Sequence, residues 1–168
     1  VLPGFCVTTS AYRDFMESNG LNQVVESQLS AIDYSVPGTI EASARAIRQA
    51  ILDAEMPHDL QQAIIQFYRH SDQLQGRPLA IRSSGPDEDS ARASFAGQHD
   101  SYLGIIGETA LLPNIRQCSA SLWSARVIDY RHRYGYSQSE AALAVIVQLL
   151  VPADISGVLF TIAPLTND

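Results

Sequence analysis

The feature that most constrains the fold is the run Leu143 to Val151, LAVIVQLLV, which is apolar throughout except at Gln148. A nearly continuous apolar run of this kind reads as a strand covered on both faces. Gln148 in its middle then needs a partner, because a buried amide left unpaired costs about 1–3 kcal/mol. Two readings stand. Gln148 bonds a neighbouring backbone group, or its strand borders a pocket whose apolar walls sandwich a ring while a few polar groups read its edge. The chain then turns through Pro152 to Ser156 and returns as a strand from Gly157 to Ile162, ended by Pro164.

A second informative stretch runs from Leu79 to Ser101, LAIRSSGPDEDSARASFAGQHDS. Leu79, Ala80 and Ile81 read as a short buried strand, which Ser83, Ser84, Gly85 and Pro86 are expected to break directly after Arg82. Arg82 is thus placed at a strand end. A guanidinium stays charged and grips two phosphate oxygens at once. Gly97 allows close backbone approach to a ligand, and Ser94 and Ser101 supply hydroxyls. On local chemistry alone, an ordinary surface loop in which Arg82 pairs with Asp87, Glu88 or Asp89 explains the stretch equally well.

Ahead of these stretches, the Pro3-Gly4 turn leads to a short strand, Phe5 to Thr8, and Thr9 or Ser10 caps a helix reaching about Ser18. Asn19-Gly20 ends it. Leu21, Val24, Val25 and Leu29 recur at helical spacing, and Ser35 to Gly38 forms a break before a helix capped by Thr39, with Glu41 in its first turn. Ala44, Ile47, Ile51 and Ala54 form its buried stripe. Pro57 starts another helix, with stripe Leu60, Ile64, Phe67 and Tyr68. His58 and His70 read as solvated helix-end residues. A strand from Ser101 to Ile106 is closed by Gly107, and the helical pattern Leu111, Ile115, Cys118 or Ser119, and Leu122 follows, starting late or kinking at Pro113. Arg126, Arg131 and Arg133 with Tyr130, Tyr134 and Tyr136 form a basic and aromatic cluster. Such clusters stack on nucleic-acid bases. Arginines pairing with carboxylates and tyrosines packing against their neighbours are the preferred explanation.

Composition narrows the partners. With 168 residues, 46% hydrophobic and 17% charged, one soluble globular domain is the default, with residues 1–76 mainly helical and residues 77–168 carrying most strands. The 11 basic and 18 acidic side chains give a net charge of −7, which argues against nucleic acid or an anionic membrane as partner. No apolar run approaches the ~20 residues that span a bilayer, and the N-terminus lacks a signal-peptide pattern, so a cytoplasmic location is expected. Cys6 and Cys118 stand far apart without histidine at metal-ligand spacing, and two buried, reduced thiols are expected.

Four segments in order carry a family resemblance: LPGFCVTTSAYRDFM, IRSSGPDEDSARASFAGQHDSYLGI, SLWSARVIDYR and VIVQLLVPADISGVLFTIAP. Together they resemble the ATP-binding domain shared by phosphoenolpyruvate synthases, pyruvate phosphate dikinases and rifampin phosphotransferases. The GFC opening and GQHDSYLGIIG look closest to rifampin phosphotransferases. The resemblance covers nearly the whole chain, weakest between Asn19 and Gly76.

That resemblance implies an α+β, ATP-grasp-like nucleotide-binding domain with helices and a mixed or antiparallel sheet. It implies Arg82 at the phosphates and as the catalytic residue, Gly97 and Ser101 in the loop over them, and Gln148 at the adenine side. Ser101 stands where threonine is expected and keeps the hydroxyl. Gly85-Pro86-Asp87 replaces the usual Ala-Thr-Ala and adds a negative charge, and Ser90-Ala91-Arg92 replaces Leu-Pro-Asp or a similar sequence. All 11 basic residues are arginine, whereas the family's phosphate lysine lies in a Gly-Gly-Lys motif upstream of the Pro-Gly-Phe turn. The chain is therefore expected to belong to a longer protein, with its magnesium ligands outside it. The implied reaction splits ATP to AMP and passes the β-phosphoryl to a histidine on a swivelling domain, then to an acceptor bound elsewhere, pyruvate or a rifamycin. His99 is not that histidine, since similar family members carry glutamine there. The alternative is a diverged, non-catalytic nucleotide-binding or regulatory module of the same fold.

Overall fold

The computed structural model describes residues 2–85, 100–155 and 157. Within them the order is β1 (Gly4–Val7), α1 (Thr9–Ser18), α2 (Leu21–Ser30), α3 (Thr39–Asp53), α4 (His58–Arg69), β2 (Leu79–Ser84), β3 (Ser101–Ile105), α5 (Glu108–Ala120), a 3-10 turn Ser121–Trp123, α6 (Ala125–Arg133) and β4 (Ala144–Leu149). The strands form one sheet in the order β1-β4-β2-β3, every neighbouring pair antiparallel. This is an α+β fold. The returning strand expected from Gly157 to Ile162 lies, apart from Gly157, outside the described residues.

One face of the sheet makes the core. Val145 and Val147 of β4 and Leu79 and Ile81 of β2 point to it and are fully buried, together with Ile47 and Ile51 of α3 and Leu111 and Ile115 of α5. Each such side chain contributes about 1.5–3 kcal/mol of burial. The opposite face is the more open one among the described residues: Ala144, Ile146 and Gln148 are only half-buried and Arg82 is exposed, although Ala80 is buried. This corrects the expectation of a strand covered on both faces. β4 does alternate, but its outward positions carry Ala144 and Ile146, so hydropathy alone shows no period of two.

Local chemistry sets the helix boundaries. Thr8, rather than Thr9 or Ser10, caps α1, accepting from the Ala11 amide at 3.3 Å. Thr39 is the first residue of α3, and its hydroxyl donates to the Asp33 carbonyl at 2.7 Å, holding the preceding loop. Pro113 sits inside α5, which starts at Glu108 and runs through the proline. Phe67, expected in the stripe of α4, is 66% exposed and stacks instead on Phe5 with centroids 6.0 Å apart. Cys118 is buried as expected, whereas Cys6 is exposed on the open face. Gly104, at φ 73°, is the extra residue in β3 where the pairing shifts between Leu79 and Ala80, a bulge that needs the left-handed region.

The Arg126 to Tyr136 cluster is structural in the main. Arg126 pairs with Asp100 at 2.8 Å and Arg133 with Asp129 at 2.9 Å. Arg131 is buried, donates to the Ser137 carbonyl and lies over the Tyr136 ring.

Tyr12 of α1 is nearly fully buried, and its hydroxyl accepts from the Trp123 indole at 2.9 Å. Burial pushes this hydroxyl well above the usual tyrosine range, against a smaller lowering by the indole bond. The folded state thus keeps a proton that the unfolded chain releases above about pH 10. Stability from this group is complete below that pH and falls as pH rises beyond it, by about 1.4 kcal/mol per unit. Urea midpoints from pH 9 to 11 are expected to drop steeply for the native sequence and less steeply for Tyr12→Phe.

Candidate functional site

Sheet register brings the candidate residues together. In an antiparallel ladder, residues directly opposite each other share a face, with Cβ atoms about 5 Å apart. Arg82 lies opposite Ser101 on β3 and Ile146 on β4, and Ile146 lies opposite Cys6 on β1. Beside this row runs a second: Gly4, Gln148, Ala80 and Leu103. Both rows belong to the open face. Arg82, Ser101 and Gln148, far apart in the chain, therefore stand on one surface, Gln148 diagonal to Arg82 across β4 and β2.

The strand does not stop at Arg82. β2 continues through Ser83 and Ser84, so Arg82 projects from within a paired strand rather than from its end. The two serines pair with Val145 and Ala144, and strand pairing prevails over their weak β-propensity. A paired backbone fixes the direction of the guanidinium more firmly than a loop does.

The polar groups on this face are uncommitted. Arg82 and Ser101 are exposed, and Gln148 is half-buried. Among the described residues no ion pair holds Arg82, and no side-chain hydrogen bond holds Arg82 or Gln148. Among the described residues Gln148 thus has no neighbouring backbone group as a side-chain partner. The face offers a guanidinium fork, a hydroxyl and a carboxamide beside the half-buried Ile146 and the exposed Leu103. Such a surface can grip an anionic group at one end and hold a flat apolar ring at the other. Gly97, and the acids Asp87, Glu88 and Asp89 weighed as partners of Arg82, lie outside the described residues, as does His99.

Gly4 completes the arrangement. A Cβ there would lie 2.4 Å from the Val147 carbonyl oxygen and 2.9 Å from both Cα and Cβ of Gln148. The glycine belongs to β1 itself rather than to a turn before it, and it lets β1 close on the strand that carries Gln148. Sequence reading gave Gly4 only a turn role, and it missed Ile146 and Cys6 as neighbours of Arg82. Alternate positions along β4 were the available signal for Ile146; Cys6 and Gly4 required the register.

A family profile described as "Pyruvate phosphate dikinase, AMP/ATP-binding domain" matches residues 1–168. The chain belongs to this family. It is 39% identical, over its whole length, to a probable phosphoenolpyruvate synthase of Methanocaldococcus jannaschii, of which the match covers 14%. It is 40% identical, over 98% of its length, to a rifampicin phosphotransferase of Bacillus subtilis, of which the match covers 19%. A phosphoenolpyruvate synthase of Aeropyrum pernix is 38% identical over the whole chain and is covered to 21%. The chain thus spans a quarter or less of these relatives' length. The near-equal identities favour neither named activity.

The profile's description names AMP and ATP as what domains of this family bind. Magnesium is different. Among the described residues no group of three or more His, Cys, Asp or Glu side chains is placed to hold a metal ion. Nor is any described helix long and apolar enough to cross a membrane.

Proposed function

We propose that this chain is the ATP-binding portion of a dikinase-type phosphotransferase, and that its open sheet face is the nucleotide surface. The observation that carries the reading is the register: Arg82, Ser101 and Gln148 share one face and none is spent on the protein's own structure. Arg82 grips phosphate oxygens with its two-pronged fork, Ser101 donates beside it, and Gln148 reads the edge of the adenine. Ile146, between the two ends, gives the ring an apolar seat. Gly97, outside the described residues, is assigned to the phosphates by the family resemblance alone. When bound, magnesium would supply neutralisation of charge on the phosphates, its ligands expected outside this chain.

The reaction fits this division of labour. ATP gives its β-phosphoryl to a histidine on a swivelling domain of the same protein, leaving AMP and inorganic phosphate after water takes the γ-phosphoryl. The phosphohistidine then passes the group to a small acceptor held elsewhere. Positioning and charge stabilisation supply nearly all the catalysis in phosphoryl transfer, and a fixed arginine supplies both. The chain works as one domain, in the cytoplasm.

The test is phosphorus NMR of the full-length protein with Mg-ATP and no acceptor, pyruvate or rifampicin. AMP and inorganic phosphate formed in the presence of one acceptor are expected. ADP as the sole nucleotide product, or no turnover with any acceptor, would overturn the dikinase reading, the latter in favour of a non-catalytic module.

A further inference from the structure

A cleft of about 790 Å³ opens on the helical side of the molecule. None of Arg82, Ser101 and Gln148 lines it. Its size is that of a small-molecule site, in which an apolar floor takes the body of a ligand and a few polar groups set its orientation.

The floor is aromatic. Tyr12 and Met16 from α1, Val25 from α2, and Trp123 are all nearly fully buried. The indole N–H donates to the Tyr12 oxygen, which locks the two rings together. The tyrosine's own proton has no acceptor among the described residues. Packing thus explains the rings but leaves one buried donor unspent, and a buried donor favours a partner.

The rim is acidic. Arg13 and Glu17 of α1 and Glu26 of α2 all line it, so the cleft carries two carboxylates against one guanidinium. All three are exposed, and among the described residues none of them makes an ion pair. Aromatic faces attract cations through their quadrupole, and carboxylates at the mouth add to that attraction. An anion would meet net repulsion here.

We propose that this cleft is a second ligand site, taking a small organic cation with an aromatic body and a hydrogen-bond acceptor at its far end. The ammonium lies between Glu17 and Glu26, the ring lies on Trp123 and Tyr12, and the acceptor takes the Tyr12 proton. The site is separate from the nucleotide surface and does not depend on the function assigned to that surface.

Trp123 is the only tryptophan in these 168 residues, and the emission change that is lost on Trp123→Phe reports on the floor of this cleft. Tyramine carries an ammonium, a ring and a phenolic acceptor; tyrosol replaces the ammonium by a hydroxyl. Excited beyond the absorption of either probe, Trp123 emission is expected to change saturably with tyramine, about fivefold more tightly than with tyrosol, the worth of an exposed ion pair. The paired changes Glu17→Gln and Glu26→Gln, both at exposed positions that leave the fold intact by circular dichroism, are expected to remove that preference. No saturable change with tyramine up to about 10 mM, equal affinity for tyrosol, or a preference that survives loss of both carboxylates would overturn the proposal.

Discussion

Replacing Arg82 with alanine is expected to lower nucleotide turnover by the full-length protein about 100-fold or more, with the thermal midpoint unchanged. The two halves of this result have separate causes. Turnover falls because the guanidinium is the one uncommitted cation described on the open face, and removing a single preorganised charge-stabilising donor commonly costs a factor of 10² to 10³. Stability holds because Arg82 is exposed and bonds to nothing described, and such surface changes usually stay within about 0.5 kcal/mol. Arg82→Lys separates charge from shape: it keeps the cation but loses the fork, and intermediate turnover is expected. Steady-state rates and melting curves for the three proteins decide the matter. Alanine turnover equal to native would remove Arg82 from the site, and a collapse in melting temperature would make its role structural.

Most helices were legible because their apolar residues recur at helical spacing, α4 keeping the rule at Ile64 and Tyr68 but not at Phe67. Ala44, Ile47 and Ile51 recur at helical spacing and are buried along α3, and Leu111, Ile115 and Cys118 do the same along α5. The sheet was less legible. Ala144 and Ile146 look like core residues, but the apolar side chains that suit a ligand's ring are the same ones that suit a packed interior. Composition cannot say which of the two covers a face. For the same reason β4 read as doubly buried, and Gln148 as in need of a partner, either a neighbouring backbone group or a ligand. Arg82 was placed at a strand end because Ser83 and Ser84 disfavour strands, whereas pairing with Val145 and Ala144 carries β2 past them.

The candidate site shows the same division. Residue types alone marked Arg82 as a phosphate group and Gln148 as an anomaly in an apolar run. Their placement on one face depends on antiparallel register between segments distant in the chain, which local pattern does not encode. The family resemblance proposed the roles, and the register shows only that Arg82, Ser101 and Gln148 share one face.

Gly4→Ala is expected to destabilise the protein by about 3 kcal/mol, the upper range for overpacking, although it adds one methyl group. The added carbon would meet the Val147 carbonyl oxygen at 2.4 Å and the Gln148 Cα and Cβ at 2.9 Å. Two of those three atoms are backbone, so no side-chain rotation relieves the contact, and β1 must move away from β4. Among the described residues β1 is a short strand paired on one side only, with β4. Gly20→Ala is the matched control. Gly20 has φ +64° with nothing within 4 Å of the added carbon, so its cost is backbone strain of about 1 kcal/mol. Urea denaturation of the two variants separates steric from conformational cost, and a Gly4 variant no less stable than the Gly20 variant would contradict the close approach of β1. Because the strand that gives way borders Gln148, the Gly4 variant is also expected to bind ATP more weakly below its melting range, whereas the Gly20 variant, remote from the open face, binds as the native protein does.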